Sequence, residues 1–217
     1  MNQLDTNQTY ETEQEKFWAG EFGDKYINRN LSEDYLSRNF VFFSKILSQT
    51  SGINSILELG ANAGLNLQAI GQLLPSAQLF AVEINKHAIK KLQEILNGRV
   101  NVYHYSVLDK DLPELEADFV LIKGVLIHIN PSYLDQVYDK LFNSSNRYIC
   151  IAEYYSPSPV EILYRGHRNK LFKRDFAGEM LDKYPGLKLV DYGFVYHRDL
   201  NFPQDDVTWF LLEKKSP

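Results

Sequence analysis

Two segments carry side chains and spacing suited to holding a nucleoside. Ile56-Leu57-Glu58-Leu59 is an apolar run that passes into the small-residue turn Gly60-Ala61-Asn62-Ala63-Gly64 and then into a helical pattern from Leu65. In a strand-turn-helix unit of this kind the backbone approaches its ligand closely, and Gly60 and Gly64 remove the side chains that would block it. Glu83 ends a second apolar run, Leu79-Phe80-Ala81-Val82-Glu83, about 23 residues after Gly60. A ribose-binding acid is expected ~20 residues after such a turn, so Glu83, with Ile84 beside it, is placed to accept both ribose hydroxyl protons. A dinucleotide site wants Gly-x-Gly-x-x-Gly, but from Gly60 the required positions hold Asn62 and Leu65. No Gly-Lys-Ser/Thr follows, so a P-loop is excluded.

A second group of reactive side chains lies further along. The stretch from Asp118 to Pro131 reads as an apolar strand running into a loop, with Lys123, Gly124, Val125 and His128 at its carboxyl end. Ligands of open α/β sheets bind there. Glu153 ends another apolar run and is followed by Tyr154 and Tyr155, then by Arg165-Gly166-His167-Arg168, with Arg198 later. An acid, two phenols, an imidazole and guanidiniums suit an anionic, hydroxyl-rich substrate, with the arginines on carboxylate or phosphate. The same stretch also reads as a solvated loop, and His128 also as a packed, hydrogen-bonded histidine. The candidate proton acceptors are His128, His167 and Glu153.

The Ile56 to Asn66 segment resembles the first motif of class I S-adenosylmethionine-dependent methyltransferases, an acid followed by Gly-x-Gly-x-Gly, with Asn62 where the middle glycine is expected. Asparagine tolerates a left-handed backbone better than most residues. The resemblance implies S-adenosylmethionine as cofactor, released as S-adenosylhomocysteine. It places Glu58, Gly60, Ala61, Asn62, Gly64, Glu83 and Ile84 on the cofactor, with Ser106, Val107 and Asp109 at the adenine. Lys123, Gly124, Val125 and His128 are similar to the fourth motif of small-molecule methyltransferases, beside the methionine portion. Asn130-Pro131-Ser132-Tyr133 superficially resembles the Asn-Pro-Pro-Tyr of amino-methylating DNA enzymes. It starts seven residues past Lys123 and reads better as an Asn N-cap with Pro at the first helical position.

From about Thr12 to Lys214 the chain also resembles the methylases associated with pseudaminic acid biosynthesis. The strings that carry this are Thr12-Glu13-Gln14-Glu15, Phe17 to Tyr26, Lys123 to Pro131, Glu153-Tyr154-Tyr155, Tyr164-Arg165-Gly166-His167 and Leu171 to Ala177. That resemblance implies a nonulosonic acid or related sugar precursor as substrate. Trp18 and Tyr26 would then lie in a lid over the cofactor, and Tyr154, Tyr155, Arg165, Arg168 and Arg198 would face the sugar. Transfer from a sulfonium requires no metal, because the leaving group is already activated and the protein must mainly align the nucleophile and remove a proton. Two other readings stay open. One is a non-catalytic cofactor-binding module, favoured by Asn62 alone. The other is a nucleic-acid or protein methyltransferase, against which stand the formal charge of -5 and the lack of a basic, aromatic-rich stripe.

Positioning these residues calls for one α/β unit. The chain has 217 residues, 44% of them hydrophobic, enough for one substantial core but short for two. Apolar runs alternate with helical segments from Asn54 onward, the pattern of a parallel sheet covered by helices. Strands are expected near 54–59, 78–83, 100–105, 117–123, 147–153, 187–196 and 206–213, and helices near 65–73, 86–96, 131–142 and 170–183. Together with the resemblance this gives a Rossmann-like class I methyltransferase: a seven-stranded, mostly parallel sheet with an antiparallel C-terminal hairpin, flanked by helices. Residues 51–217 form this core and 11–50 a helical lid, with one helix opening at the Thr12-Glu15 capping box and another after Ser32. Residues 1–10 are too polar to be ordered. The absence of an apolar segment long enough to span a bilayer, and of a signal-like start, reads as a cytoplasmic protein that binds neither membrane nor nucleic acid. The single cysteine, Cys150, sits in an apolar run, which argues against disulfides and a thiolate metal cluster.

Overall fold

The apolar runs fold as β1 (Ser55–Leu59), β2 (Gln78–Glu83), β3 (Val100–His104), β4 (Ala117–Lys123) and β5 (Ser145–Glu153) in the computed structural model, which describes residues 10–29 and 33–215. Four strands follow: β6 (Val160–Tyr164), β7 (His167–Lys173), β8 (Leu187–Val195) and β9 (Val207–Lys214). Seven of the nine make one sheet in the order β3-β2-β1-β4-β5-β9-β8, in which β9 runs antiparallel to β5 and β8 and the other pairs are parallel. Strand order reverses between β1 and β4. A crevice opens there at the carboxyl ends of the strands, the place where open α/β sheets bind ligands.

Both faces are covered, which is why β1 and β4 are almost wholly apolar and buried. One face packs on α3 (Glu33–Leu47), α4 (Leu65–Leu73) and α5 (Lys86–Leu96), through Phe43, Leu67, Leu92 and Trp209 among others. The other packs on α6 (Leu134–Ser144) and α7 (Phe176–Lys183), through Val137, Leu141 and Met180. Asn130 accepts from the Ser132 N–H (3.0 Å) and Pro131 opens the short 3-10 turn leading into α6, as the sequence indicates. No helix among the described residues is long and apolar enough to cross a membrane.

Two expectations change. The amino-terminal helix opens on the Thr12 capping box, with Glu15 N–H on Thr12 Oγ1 (3.1 Å) and Thr12 N–H on Glu15 Oε2 (2.8 Å), but it breaks at Gly20 into α1 (Glu13–Ala19) and α2 (Glu21–Arg29). The helix expected over 170–183 starts only at Phe176, capped by Asp175, whose side chain accepts from Gly178 N–H (2.9 Å). The residues before it form β7, half of a β6-β7 hairpin closed by Arg165 and Gly166, both at positive φ (49° and 86°). A two-residue turn of that geometry matches the twist of the strands it joins. Ser32, the expected start of α3, and all but Tyr10 of the expected disordered stretch lie outside the described residues.

Candidate active site

The turn after β1 is built as its residue types demand. Gly60 (φ 78°), Asn62 (φ 48°) and Gly64 (φ 80°) all lie in the left-handed region, where glycine is unstrained and asparagine the best-tolerated substitute. The close approach the glycines permit is to protein. A Cβ on Gly60 would sit 2.5 Å from Val125 Cγ2, and one on Gly64 would sit 2.8 Å from Leu92 Cγ. Glu83 then clamps this turn to its own strand end: Oε2 accepts from Asn62 N–H (2.7 Å), and Oε1 from Ile84 and Asn85 N–H (2.9 and 2.8 Å). Burial pushes its carboxyl above the usual carboxylate range, and the three N–H groups pull it back. With Oε1 holding two donors and Oε2 one, a single acceptor position stays open, narrower than the two-hydroxyl contact expected.

Above this frame lies a cavity of about 270 Å³. Gly60, Ala61, Asn62, Glu83 and Ile84 form its wall over β1 and β2. Ser106 and Val107 border it past β3, and Lys123, Gly124 and Val125 past β4. Trp18 and Tyr26 close it from α1 and α2, and His128, Glu153 and Tyr154 complete the sequence-named set.

The remaining residues singled out by sequence lie off the wall. Glu58 is fully buried behind it, takes a hydrogen bond from Asn66 Nδ2 (2.6 Å) and is pushed up to about 8 by burial. Gly64 packs on Leu92. Asp109 turns its Oδ1 to the Asp111 N–H (2.9 Å). His167 is exposed on β7 against Phe17 (ring centroids 5.0 Å). Arg165 is spent in the hairpin turn, Tyr155 and Arg168 are exposed, and Arg198 is exposed in the β8-β9 connection.

The side chains near the β4 end differ sharply in what they offer. His128 Nδ1 lies 2.5 Å from the Lys170 carbonyl oxygen, so it donates and leaves the Nε2 lone pair free. Its ring packs between Trp18 (4.5 Å) and Tyr164 (5.1 Å), and burial holds its pKa down to about 4. Glu153 Oε1 accepts from Val125 and Leu126 N–H (2.9 Å each), which shapes the loop that carries His128. Burial pushes Glu153 up to about 7. Lys123 lies 5.5 Å from the Phe42 ring; burial lowers its pKa while the carboxylates of Glu58, Asp205 and Glu153 oppose that shift.

Several wall residues were not among the site residues expected from sequence, although Gln14 and Tyr164 stand in the strings that carry the resemblance. Tyr35, Arg38 and Asn39 enter from α3, Gln14 from α1, Tyr164 from β6, and Gln204 and Asp205 from the β8-β9 connection. The α3 residues sit at i, i+3 and i+4, one helical face.

No family model matches the sequence, and no curated protein matches it. Solved structures do. The 1,6-didemethyltoxoflavin-N1-methyltransferase of Burkholderia thailandensis, with 1,6-didemethyltoxoflavin and S-adenosylhomocysteine bound, is 15% identical, with TM-score 0.69 over 98% of this chain and 94% of that one. An S-adenosylmethionine-dependent methyltransferase of Leishmania major is 15% identical, with TM-score 0.69 over 93% of this chain and 81% of that one. The plantazolicin methyltransferase BpumL, in complex with S-adenosylhomocysteine, is 16% identical, with TM-score 0.65 over 94% of each chain. Likeness at such identities is likeness of architecture, and the chain has the Rossmann-like fold of S-adenosylmethionine-dependent methyltransferases.

Proposed function

We propose that this protein is an S-adenosylmethionine-dependent methyltransferase acting on a small molecule. The observation that carries the reading is the Glu83 carboxylate clamped to the left-handed turn at the edge of a cavity spanning the ends of β1 to β4. The cavity wall also fits the cofactor chemically. Gln14 Oε1, Asn39 Oδ1, Asn62 Oδ1, Glu153 Oε2 and Trp18 Nε1 are buried on that wall without a protein partner. Such atoms are costly unless a ligand satisfies them. Four of the five are acceptors, and an adenosine with an α-ammonium group brings amine, hydroxyl and ammonium donors.

Within this reading Ile84 and Val107 flank the base, Glu83 accepts one ribose hydroxyl, and Trp18 and Tyr26 cover the site and exclude water. When bound, S-adenosylmethionine supplies a methyl group on a sulfonium, an electrophile that needs no further activation. His128 Nε2 takes the proton released by the acceptor, while Glu153 holds the Val125-Leu126 turn that aims it. A nonulosonic acid as acceptor is supported by the sequence strings given above. The arginines first matched to its carboxylate lie off the cavity, and among the described residues Arg38 is the guanidinium that borders it.

Calorimetric titration with S-adenosylmethionine tests the reading. The wild type should bind at micromolar concentration, Glu83→Ala should abolish binding, and Arg165→Ala, in the exposed turn, should leave it unchanged. A wild type that binds no S-adenosylmethionine overturns the proposal. Release of S-adenosylhomocysteine in the presence of nonulosonic acids tests the substrate.

A further inference from the structure

On the reading that the cavity holds S-adenosylmethionine, we infer that Gln14 of the covering helix α1 selects the adenine base by accepting a hydrogen bond from its exocyclic amine. Gln14 is only 3% exposed and forms part of the cavity wall. Its Nε2 donates to the Asn169 carbonyl (2.9 Å), which settles which end of the amide is which and leaves Oε1 as the end without a protein partner.

The helix is held where the base belongs. Glu11, just ahead of α1, reaches Lys110 in the segment after β3 (3.7 Å), and Thr12 shares the wall with Leu108 of that segment. Its other end is tied down by Asn85 Nδ2, which donates to the Trp18 carbonyl (3.0 Å) and to Asp24 (2.9 Å) beside the Glu83 clamp. Gln14 therefore sits on a helix tied at one end to the segment after β3 and at the other to the residues beside the Glu83 clamp.

The segment after β3 commits its own side-chain acceptors elsewhere. Ser106 Oγ accepts from Leu108 N–H (3.0 Å), and Asp109 is off the wall with Oδ1 on Asp111 N–H. Glu15 borders the cavity, but its Oε2 serves the Thr12 N–H and hydroxyl. Gln14 Oε1 is the buried, unpartnered acceptor that the covering helix brings to the wall, with Asn62 Oδ1 of the β1 turn as its counterpart on the core side. A base bearing a carbonyl at that position would set two acceptors face to face. A site built around a ligand N–H rejects an analogue lacking it far more strongly than a hydrophobic pocket does.

The test is calorimetric titration of S-adenosylhomocysteine against S-inosylhomocysteine, in which a carbonyl oxygen replaces the adenine amine. Wild type should prefer the adenine ligand by about tenfold or more. Gln14→Met should lose most of that preference while its affinity for S-inosylhomocysteine changes little, which also shows that the variant is folded. Equal binding of the two ligands by wild type overturns the inference, as does an equal loss of both in Gln14→Met, which would reduce Gln14 to an anchor for α1. A wild type that binds neither ligand overturns the cofactor reading itself.

Discussion

The buried ionisable side chains under and around the cavity set different pH dependences. Burial pushes the Glu58 carboxyl from its ordinary 4.5 up to about 8, so the folded protein holds a proton through that interval which the unfolded chain has lost. Stability from this group is therefore fully present below about pH 4.5 and declines as pH rises to about 8. Glu58→Gln should raise Tm at pH 8 and flatten its fall between pH 6 and 8, because the amide oxygen still accepts from Asn66. One pKa unit is worth about 1.4 kcal/mol, and each kcal/mol moves Tm by about 2–4 °C in a chain of this size. A thermal melt showing equal pH slopes in variant and wild type would refute the assignment. His128 shifts the other way, from 6.5 down to about 4, so it is unprotonated throughout the physiological range. Glu153 protonated on Oε2 still accepts from Val125 and Leu126 through Oε1, so its titration near 7 leaves the loop intact. The acid limb of kcat/KM should accordingly lie near pH 4. A limb near 7 that vanishes in Glu153→Gln would transfer the base role to Glu153. His128→Gln should lower kcat by about 10²–10⁴-fold with S-adenosylmethionine affinity unchanged in titration.

The elements that were legible in the sequence are those whose burial imposes a period. β1, β2 and β4 are buried on both faces, and their apolar runs stand out against the helices between them. The Thr12 capping box and the Asn130-Pro131 start were equally readable, since a cap is a local hydrogen-bond requirement. The β6-β7 hairpin was not. β6 is exposed on both faces and so has no alternation to find, and its turn carries Arg165 rather than the Asn or Asp that usually precedes Gly in this geometry. Missing it also misplaced Arg165, Arg168 and His167, which the hairpin carries away from the cavity. Beside the Tyr164 ring, what it supplies is backbone: Lys170 gives its carbonyl to His128, and Asn169, at φ 57°, gives its carbonyl to Gln14. A β-branched residue is strained at such a φ. Asn169→Val should therefore cost about 1–3 kcal/mol and lower Tm by several degrees, while Asn169→Gly should stay close to wild type. Equal Tm values for the two variants would show that the left-handed backbone at Asn169 is not what positions these carbonyls.

At the scale of the whole molecule, the sheet and its two helical layers form a continuous core, whereas α1 and α2 join it through fewer contacts. Among the described residues the attachments include the two Asn85 hydrogen bonds, the Gln14-Asn169 bond, a Lys170-Glu13 ion pair (3.0 Å), ring contacts of Phe17, Trp18 and Phe22 with His167, His128 and Tyr164, and the packing of Ile27 on Ala63 and Ala88. Glu13 is largely exposed, so that ion pair contributes little. Segments held this way open locally at a lower free energy than the core, and a ligand bound beneath them stabilises the closed form by mass action. Gln14 and Trp18, both on the cavity wall, each keep a buried atom without a protein partner, so a ligand that reaches them adds hydrogen bonds to α1. S-adenosylhomocysteine should therefore slow amide hydrogen exchange across residues 13–29 by more than it slows exchange in β4 or β5, whose amides open near the global limit. Gln14→Met should shrink that protection in α1 while leaving the protection of the Gly60–Gly64 turn in place, because Glu83 and not the lid holds the turn. If saturating ligand protects the turn but leaves residues 13–29 exchanging at their ligand-free rates, α1 and α2 are a fixed wall rather than a cover that closes on the cofactor.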